Sequence, residues 1–256
     1  MCGRFAMTTD PALLAEQIRA VSEVPATAGD YQANYNVAPT ANITTVVSRH
    51  TEPGDEPTRR VRLMRWGLVP PWAKAGPDGA PAAKGPQPIN ARADRVTTSP
   101  VFRSAVQHKR CLVPMDGFYE WRAEPATPAG RKTRKTPFYI HRADGATLFM
   151  AGLWSVWKNP AGGATPPLLS CTIITTDAVG ALADVHDRMP LIVPADDWDS
   201  WLDPDAPADG AVAALLTRPP DIGGIELREV STLVNGVRNN GPELLEAPHP
   251  AAAGLF

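Results

Sequence analysis

Runs of apolar, β-branched and aromatic residues punctuate the chain at short intervals. They are NITTVVS at 42–48, VRLMRWGLV at 61–69, CLVPMDGFYEW at 111–121, PFYIHRA at 137–143, TLFMAGLWSVW at 147–157, LLSCTIITT at 168–176 and IELREVST at 225–232. Several alternate with period two, and they follow one another too closely for a helix between each pair. They predict a mostly antiparallel β-sheet curled into a barrel-like or sandwich core. Helical spacing is rarer. DPALLAEQIRAV at 10–21 predicts a helix capped by Asp10 with Pro11 at its first position, and shorter helices are expected at 101–107, 195–202 and 209–216. The fold class is α+β, strand-dominated, with one domain expected over 1–246 and a frayed C-terminal tail over 247–256.

Composition narrows the setting. With 256 residues, 43% of them hydrophobic, the chain is long enough to bury a core without covalent staples. Its 28 prolines and 20 glycines are spread between the apolar runs, so they read as turns and not as an interdomain linker. No internal repeat is visible. Three cysteines do not make a disulfide framework and fit reduced thiols in a cytoplasmic protein. Cys111 and Cys171 lie in strand patterns and are expected to be buried and inert. No run approaches the ~20 apolar residues of a membrane span, and no leader-like segment opens the chain. Phosphate-loop, zinc-protease, paired-cysteine and nucleophile-elbow motifs are missing, so no metal or organic cofactor is expected.

Charge is unevenly placed. The net formal charge is −2, yet eleven basic residues from Arg59 to Arg110 face only Asp78 and Asp94, a local +9. Such a stretch fits either one phosphate-facing surface or several solvated strand faces. A second run, RKTRK at 131–135, reads as an exposed loop. The seven tryptophans fit core positions at strand spacing, though Trp also stacks on unpaired bases.

Cys2 carries the most chemistry. The chain begins MCGRF, and removal of Met1 would leave an N-terminal cysteine. Such a residue holds an α-amine with pKa about 8 beside a thiol with pKa about 8.5. Two nucleophiles on one small residue suit an aldehyde: the amine forms an imine, and the thiol closes on the same carbon to give a thiazolidine.

The chain resembles the SRAP (SOS-response-associated peptidase) family, whose members crosslink to abasic sites in single-stranded DNA. The resemblance rests on MCGRF, NYNVAPT at 34–40, RWGLVPPWA at 65–73, INARAD at 89–94, CLVPMDGFYEW, ITTDA at 174–178, HDRMP at 186–190 and VNGVRNNGPE at 234–243. The departures fall in loops, at 76–88 and at RKTRK. The resemblance implies Cys2 as covalent nucleophile, Asn90 as orienting donor, Glu120 as a buried acid and His186 as proton shuttle. It further implies that Arg92 and Arg188, with Arg4 a weaker candidate, grip phosphates, and that Trp72 wedges or stacks at the missing base. The implied partner is single-stranded DNA containing abasic sites; a monomer is expected, since nothing in the sequence suggests otherwise, cytoplasmic and nucleoid-associated when bound to DNA.

Taken alone, the same residues admit plainer roles. Asn90 suits a turn, Glu120 a charge at a sheet edge, and Arg188 a local pair with a carboxylate such as Asp187. Two other functions stay open. One is a cysteine peptidase using Cys2, His186 and Glu120 or Asn90, with removal of Met1 as its self-processing. The other is a non-covalent single-strand binding module.

Overall fold

The computed structural model describes residues 2–25, 31–82, 84, 85, 87–124, 134–162 and 166–248. Among them the elements run β1 (Arg4–Met7), α1 (Pro11–Gln17), β2 (Val21–Ser22), β3 (Asn34–Val37), β4 (Asn42–Arg49), β5 (Thr58–Trp66), β6 (Asn90–Arg92), α2 (Ala105–His108), β7 (Arg110–Met115), β8 (Gly117–Ala123), β9 (Lys135–Arg142), β10 (Leu148–Trp157), β11 (Leu168–Asp177), β12 (Arg188–Pro190), α3 (Trp198–Leu202), α4 (Gly210–Thr217) and β13 (Ile225–Glu229). Every apolar run named above contains a strand. Most of the tail, from 249 onward, lies outside the described residues.

The larger sheet runs β12-β11-β10-β7-β4-β5-β2, and a parallel pairing of β11 with β5 through Ser170↔Arg65 and Cys171↔Trp66 closes it. Five strands, β4, β5, β11, β10 and β7, thus form a barrel whose other seams are antiparallel. Closure explains the continuous burial of β7 and of most of β4, since interior and outer faces are both covered. The second sheet runs β13-β9-β8-β1-β3. Phe5 of this sheet meets Trp66 of the barrel at 5.2 Å between ring centroids, and one apolar cluster spans both sheets.

The run at 111–121 divides between the sheets. Asp116 makes the crossing: its amide donates to Ala6 O and its carboxylate accepts from the Thr8 amide, both at 2.8 Å. Gly117 must be glycine there, because a Cβ would sit 2.6 Å from Ile140 O and from the Tyr139 ring. The first helix is capped as expected, with Asp10 accepting from Ala12 N at 2.7 Å. It ends at Gln17 and not near 21, because Arg19 turns to a φ of 54° and Val21 leaves to pair with Arg60 of β5.

The C-terminal end of β11 positions the two segments that matter most. Thr175 pairs with Arg92 of β6 on one edge and with Pro190 of β12 on the other. The segments carrying Asn90 and His186 therefore flank the same end of one strand.

Candidate active site

Cys2 precedes β1, the strand between β8 and β3. In the register Arg4↔Tyr119 and Phe5↔Phe118, the chain ahead of Arg4 runs alongside Glu120. Cys2 is fully buried and its thiol reaches Arg4 O at 3.9 Å. Burial first, and the nearby Glu120 carboxylate second, push that thiol well above its ordinary pKa. Asn90 Nδ2 donates to Cys2 O at 2.8 Å, so the two-residue stub is pinned from the barrel side. Asn90 lies on a strand and not in a turn, and its Oδ1 is buried with no hydrogen-bond partner among the described residues.

Glu120 does not sit at a sheet edge. β8 is paired on both sides, and Glu120 is buried, with 4% of its surface exposed. Burial raises its pKa, while the charge of His186 is among the effects that oppose the rise. His186 stands at the end of a turn closed by His186 N donating to Leu182 O at 3.0 Å. Its Nδ1 lies 3.0 Å from Arg188 N and 2.7 Å from Asp187 Oδ1, so the ring is oriented through that nitrogen. Glu120 and His186 line one open cleft of about 450 Å³ together with Trp121, Lys135 and Asn235.

The last three residues are ones that sequence reasoning did not single out. Trp121 Nε1 donates to Asn235 Oδ1 at 2.7 Å, which fixes the ring against the cleft wall. Asn235 closes a short helical turn that Ser231 caps through the Leu233 amide, so the strand expected to 232 stops at Glu229. A signal was present: Asn235 lies in VNGVRNNGPE, and Trp121 follows Glu120 directly. Lys135 belongs to the RKTRK run read as an exposed loop; its pairing with Ala123 carries it to the cleft, while 131–133 lie outside the described residues.

The expected phosphate-gripping residues are more occupied than the sequence suggests. Arg4 Nη1 donates to Asn36 Oδ1 at 2.7 Å and Val234 O at 2.9 Å, joining β1, β3 and the Asn235 turn from within. Arg188 is 8% exposed and pairs with Asp177, not with its neighbour Asp187. Arg92 is exposed and pairs with Asp94. Trp72 is 56% exposed on the turn after Pro70 and does not line the cleft. Nor does the +9 stretch make one basic face. Arg59 reaches Asp199, Arg60 and Arg62 share Glu23, and Arg110 is buried.

Cys111 and Cys171 are free, buried thiols. No helix among the described residues is long and apolar enough to cross a membrane. Among the same residues, no group of three or more His, Cys, Asp or Glu side chains is placed to hold a metal ion.

The SOS response associated peptidase (SRAP) family matches residues 1–237, and the chain belongs to it. It is 38% identical to the abasic site processing protein YoqW of Bacillus subtilis over 248 residues, covering 96% of this chain and all of that one. It is 34% identical to the abasic site processing protein HMCES of Xenopus tropicalis, over 85% of this chain and 67% of that one. A crystal structure of a Bacteroides thetaiotaomicron protein superimposes with a TM-score of 0.77 at 25% identity, covering 96% of this chain and 100% of that one.

Proposed function

We propose that this chain processes abasic sites in single-stranded DNA, and that it does so by a covalent crosslink through Cys2 once Met1 has been removed. The observation that carries the reading is the seating of Cys2: buried, held by Asn90 at 2.8 Å through its carbonyl, and in the electrostatic reach of Glu120. The names of the similar proteins in Bacillus and Xenopus support the lesion as substrate.

The chemistry follows from the residues. A buried carboxyl with a raised pKa keeps its proton to higher pH than an exposed one and can donate it to the ring oxygen of the closed sugar, exposing the aldehyde. The Cys2 amine adds to that carbon, and loss of one water gives the imine. The thiol then adds across the C=N bond: sulfur bonds to carbon and the thiol proton ends on nitrogen. No proton is lost overall in this last step, so a thiol held in its neutral form is suited to it. His186, oriented through Nδ1, exchanges protons with the cleft through its other ring nitrogen.

The same thiol argues against the peptidase reading. A cysteine peptidase needs a thiolate and so a lowered pKa, whereas burial and Glu120 both raise this one.

The test is a denaturing gel of the untagged protein with a single-stranded oligonucleotide bearing one abasic site. A shifted band for wild type, with none for Cys2→Ala or for residues fused ahead of Met1, is expected. A wild type that binds without shifting would replace this reading with the non-covalent module, and catalytic turnover of peptides would replace it with the hydrolase.

A further inference from the structure

The exposed arginine of β6, Arg92, is already paired in two-point fashion. Arg92 Nε and Nη2 donate to Asp94 Oδ1 and Oδ2 at 2.9 and 2.8 Å. The carboxylate thus occupies the fork that two oxygens of a phosphate would take. The pair is not sealed: the side chains are 50% and 54% exposed, so the contact is open to exchange. The hydrogen bond from Arg92 holds the Asp94 carboxyl below its usual range, which keeps it ionised and competitive. Arg92 lies two residues after Asn90 on β6, and strand alternation puts both on one face, about 7 Å apart along the chain. Asp177 and Asp187 add negative charge near Arg92, and Arg188 lies in reach of Asp94. This end of β11 therefore carries paired charges and not a bare cationic patch.

Resting on the abasic-site reading above, we propose that Asp94 is a specificity-determining residue: it occupies the Arg92 guanidinium in the unbound protein, and a DNA phosphate gains Arg92 only by displacing it. The carboxylate is tethered to its partner, so it competes at an effective concentration on the order of millimolar. A phosphate from passing, undamaged strand arrives from dilute solution and loses that competition. A strand seated at the cleft by its lesion presents its neighbouring phosphate at a comparable effective concentration and wins it. Asp94 thereby suppresses contact with intact DNA more than contact with the lesion.

The experiment measures fluorescence anisotropy of the full chain with two single-stranded probes across salt concentrations. One probe has all its bases, and the other carries a tetrahydrofuran abasic analogue, which has no aldehyde and cannot crosslink. Asp94→Asn is expected to tighten binding to the intact probe about fivefold and to the analogue probe less, and to steepen the intact-probe salt slope by about one. In an Arg92→Ala background the same change is expected to do nothing. Weakened binding in Asp94→Asn, like that of Arg92→Ala, would show that Asp94 holds Arg92 in place, and would overturn the proposal. An unchanged intact-probe affinity would overturn it too, as would an equal gain in the Arg92→Ala background. Asp94→Ser is measured in parallel, with thermal melts, so that a misfolded variant does not decide the outcome. Failure of the underlying reading appears elsewhere, as a wild type that does not prefer the analogue and does not crosslink a true abasic site.

Discussion

Asn90 reaches across 88 positions of sequence to hold the backbone of Cys2, its amide donating to the Cys2 carbonyl at 2.8 Å. Nothing local brings the two together. β6 is placed by its parallel pairing with β11, and Cys2 by the antiparallel pairing of β1 with β8. The bond is therefore a joint between the barrel and the second sheet, made at the proposed reacting residue. Asn90→Asp keeps the shape and loses the donor. A net contribution of about 1 kcal/mol corresponds to roughly a fivefold fall in crosslinking rate, and reorientation of the stub adds to it. Single-turnover gels with excess protein measure it, while far-ultraviolet circular dichroism is expected to stay unchanged.

Glu120→Gln is expected to slow crosslinking by about 10²- to 10⁴-fold, the usual range for a positioned acid. With Glu120 as the proposed proton donor, the wild-type rate is expected to be highest below the raised pKa of Glu120 and to be lost as pH rises through it. The variant is expected to lack that limb of the profile. A rate that falls with pH equally in both proteins would remove Glu120 from the proton-donor role.

The same shift predicts stability. Between the ordinary carboxyl pKa and the raised folded value, the folded state binds more protons than the unfolded state, so stability falls as pH rises through that window. Glu120→Gln is therefore expected to melt higher than wild type above the window, with the difference vanishing below it. Thermal melts across pH read this directly.

Arg110 is a prediction about folding and not about DNA. Its guanidinium donates to Trp201 O at 2.6 Å, Val106 O at 2.8 Å, Gln107 O at 2.5 Å, Asp203 O at 2.5 Å and Ala206 O at 2.9 Å. It ties the ends of α2 and α3 to β7. Arg110→Met leaves those carbonyls without their donor and is expected to cost about 3 kcal/mol or more in urea unfolding. The crosslinking rate of the remaining folded protein is expected to match wild type.

Lys135 lines the cleft wall with Glu120 and His186. Lys135→Ala is expected to weaken capture of abasic strands evenly across sequences and to reduce the salt slope by about one. Anisotropy titrations against the abasic analogue supply the slope; an unchanged slope would leave Lys135 outside the phosphate path.

Strand positions were legible in runs such as 42–48 and 168–176 because apolar and β-branched residues crowd there between turn residues, as suits strands covered on both faces. The three-residue strands β6 and β12 were not, since their identity comes from pairing with β11 and not from any pattern of their own. The motifs led to Cys2, Asn90, Glu120 and His186, and the fold brings Asn90 to Cys2 and Glu120 and His186 into one cleft. Electrostatics were the least legible. A count along Arg59–Arg110 omits Glu23 and Asp199, which lie outside that stretch and neutralise Arg60, Arg62 and Arg59 in space. Likewise Glu120 ends an apolar run in sequence but sits inside a sheet, because β1 folds back to cover the edge of β8.

The most direct measurement is intact-mass spectrometry of the product formed with a single-stranded oligonucleotide carrying one true abasic site. A thiazolidine at Cys2 predicts a single adduct with the mass of the protein lacking Met1, plus the DNA, minus one water, and stable without borohydride. An adduct that retains Met1, or one that survives only after reduction, would contradict a thiazolidine at Cys2.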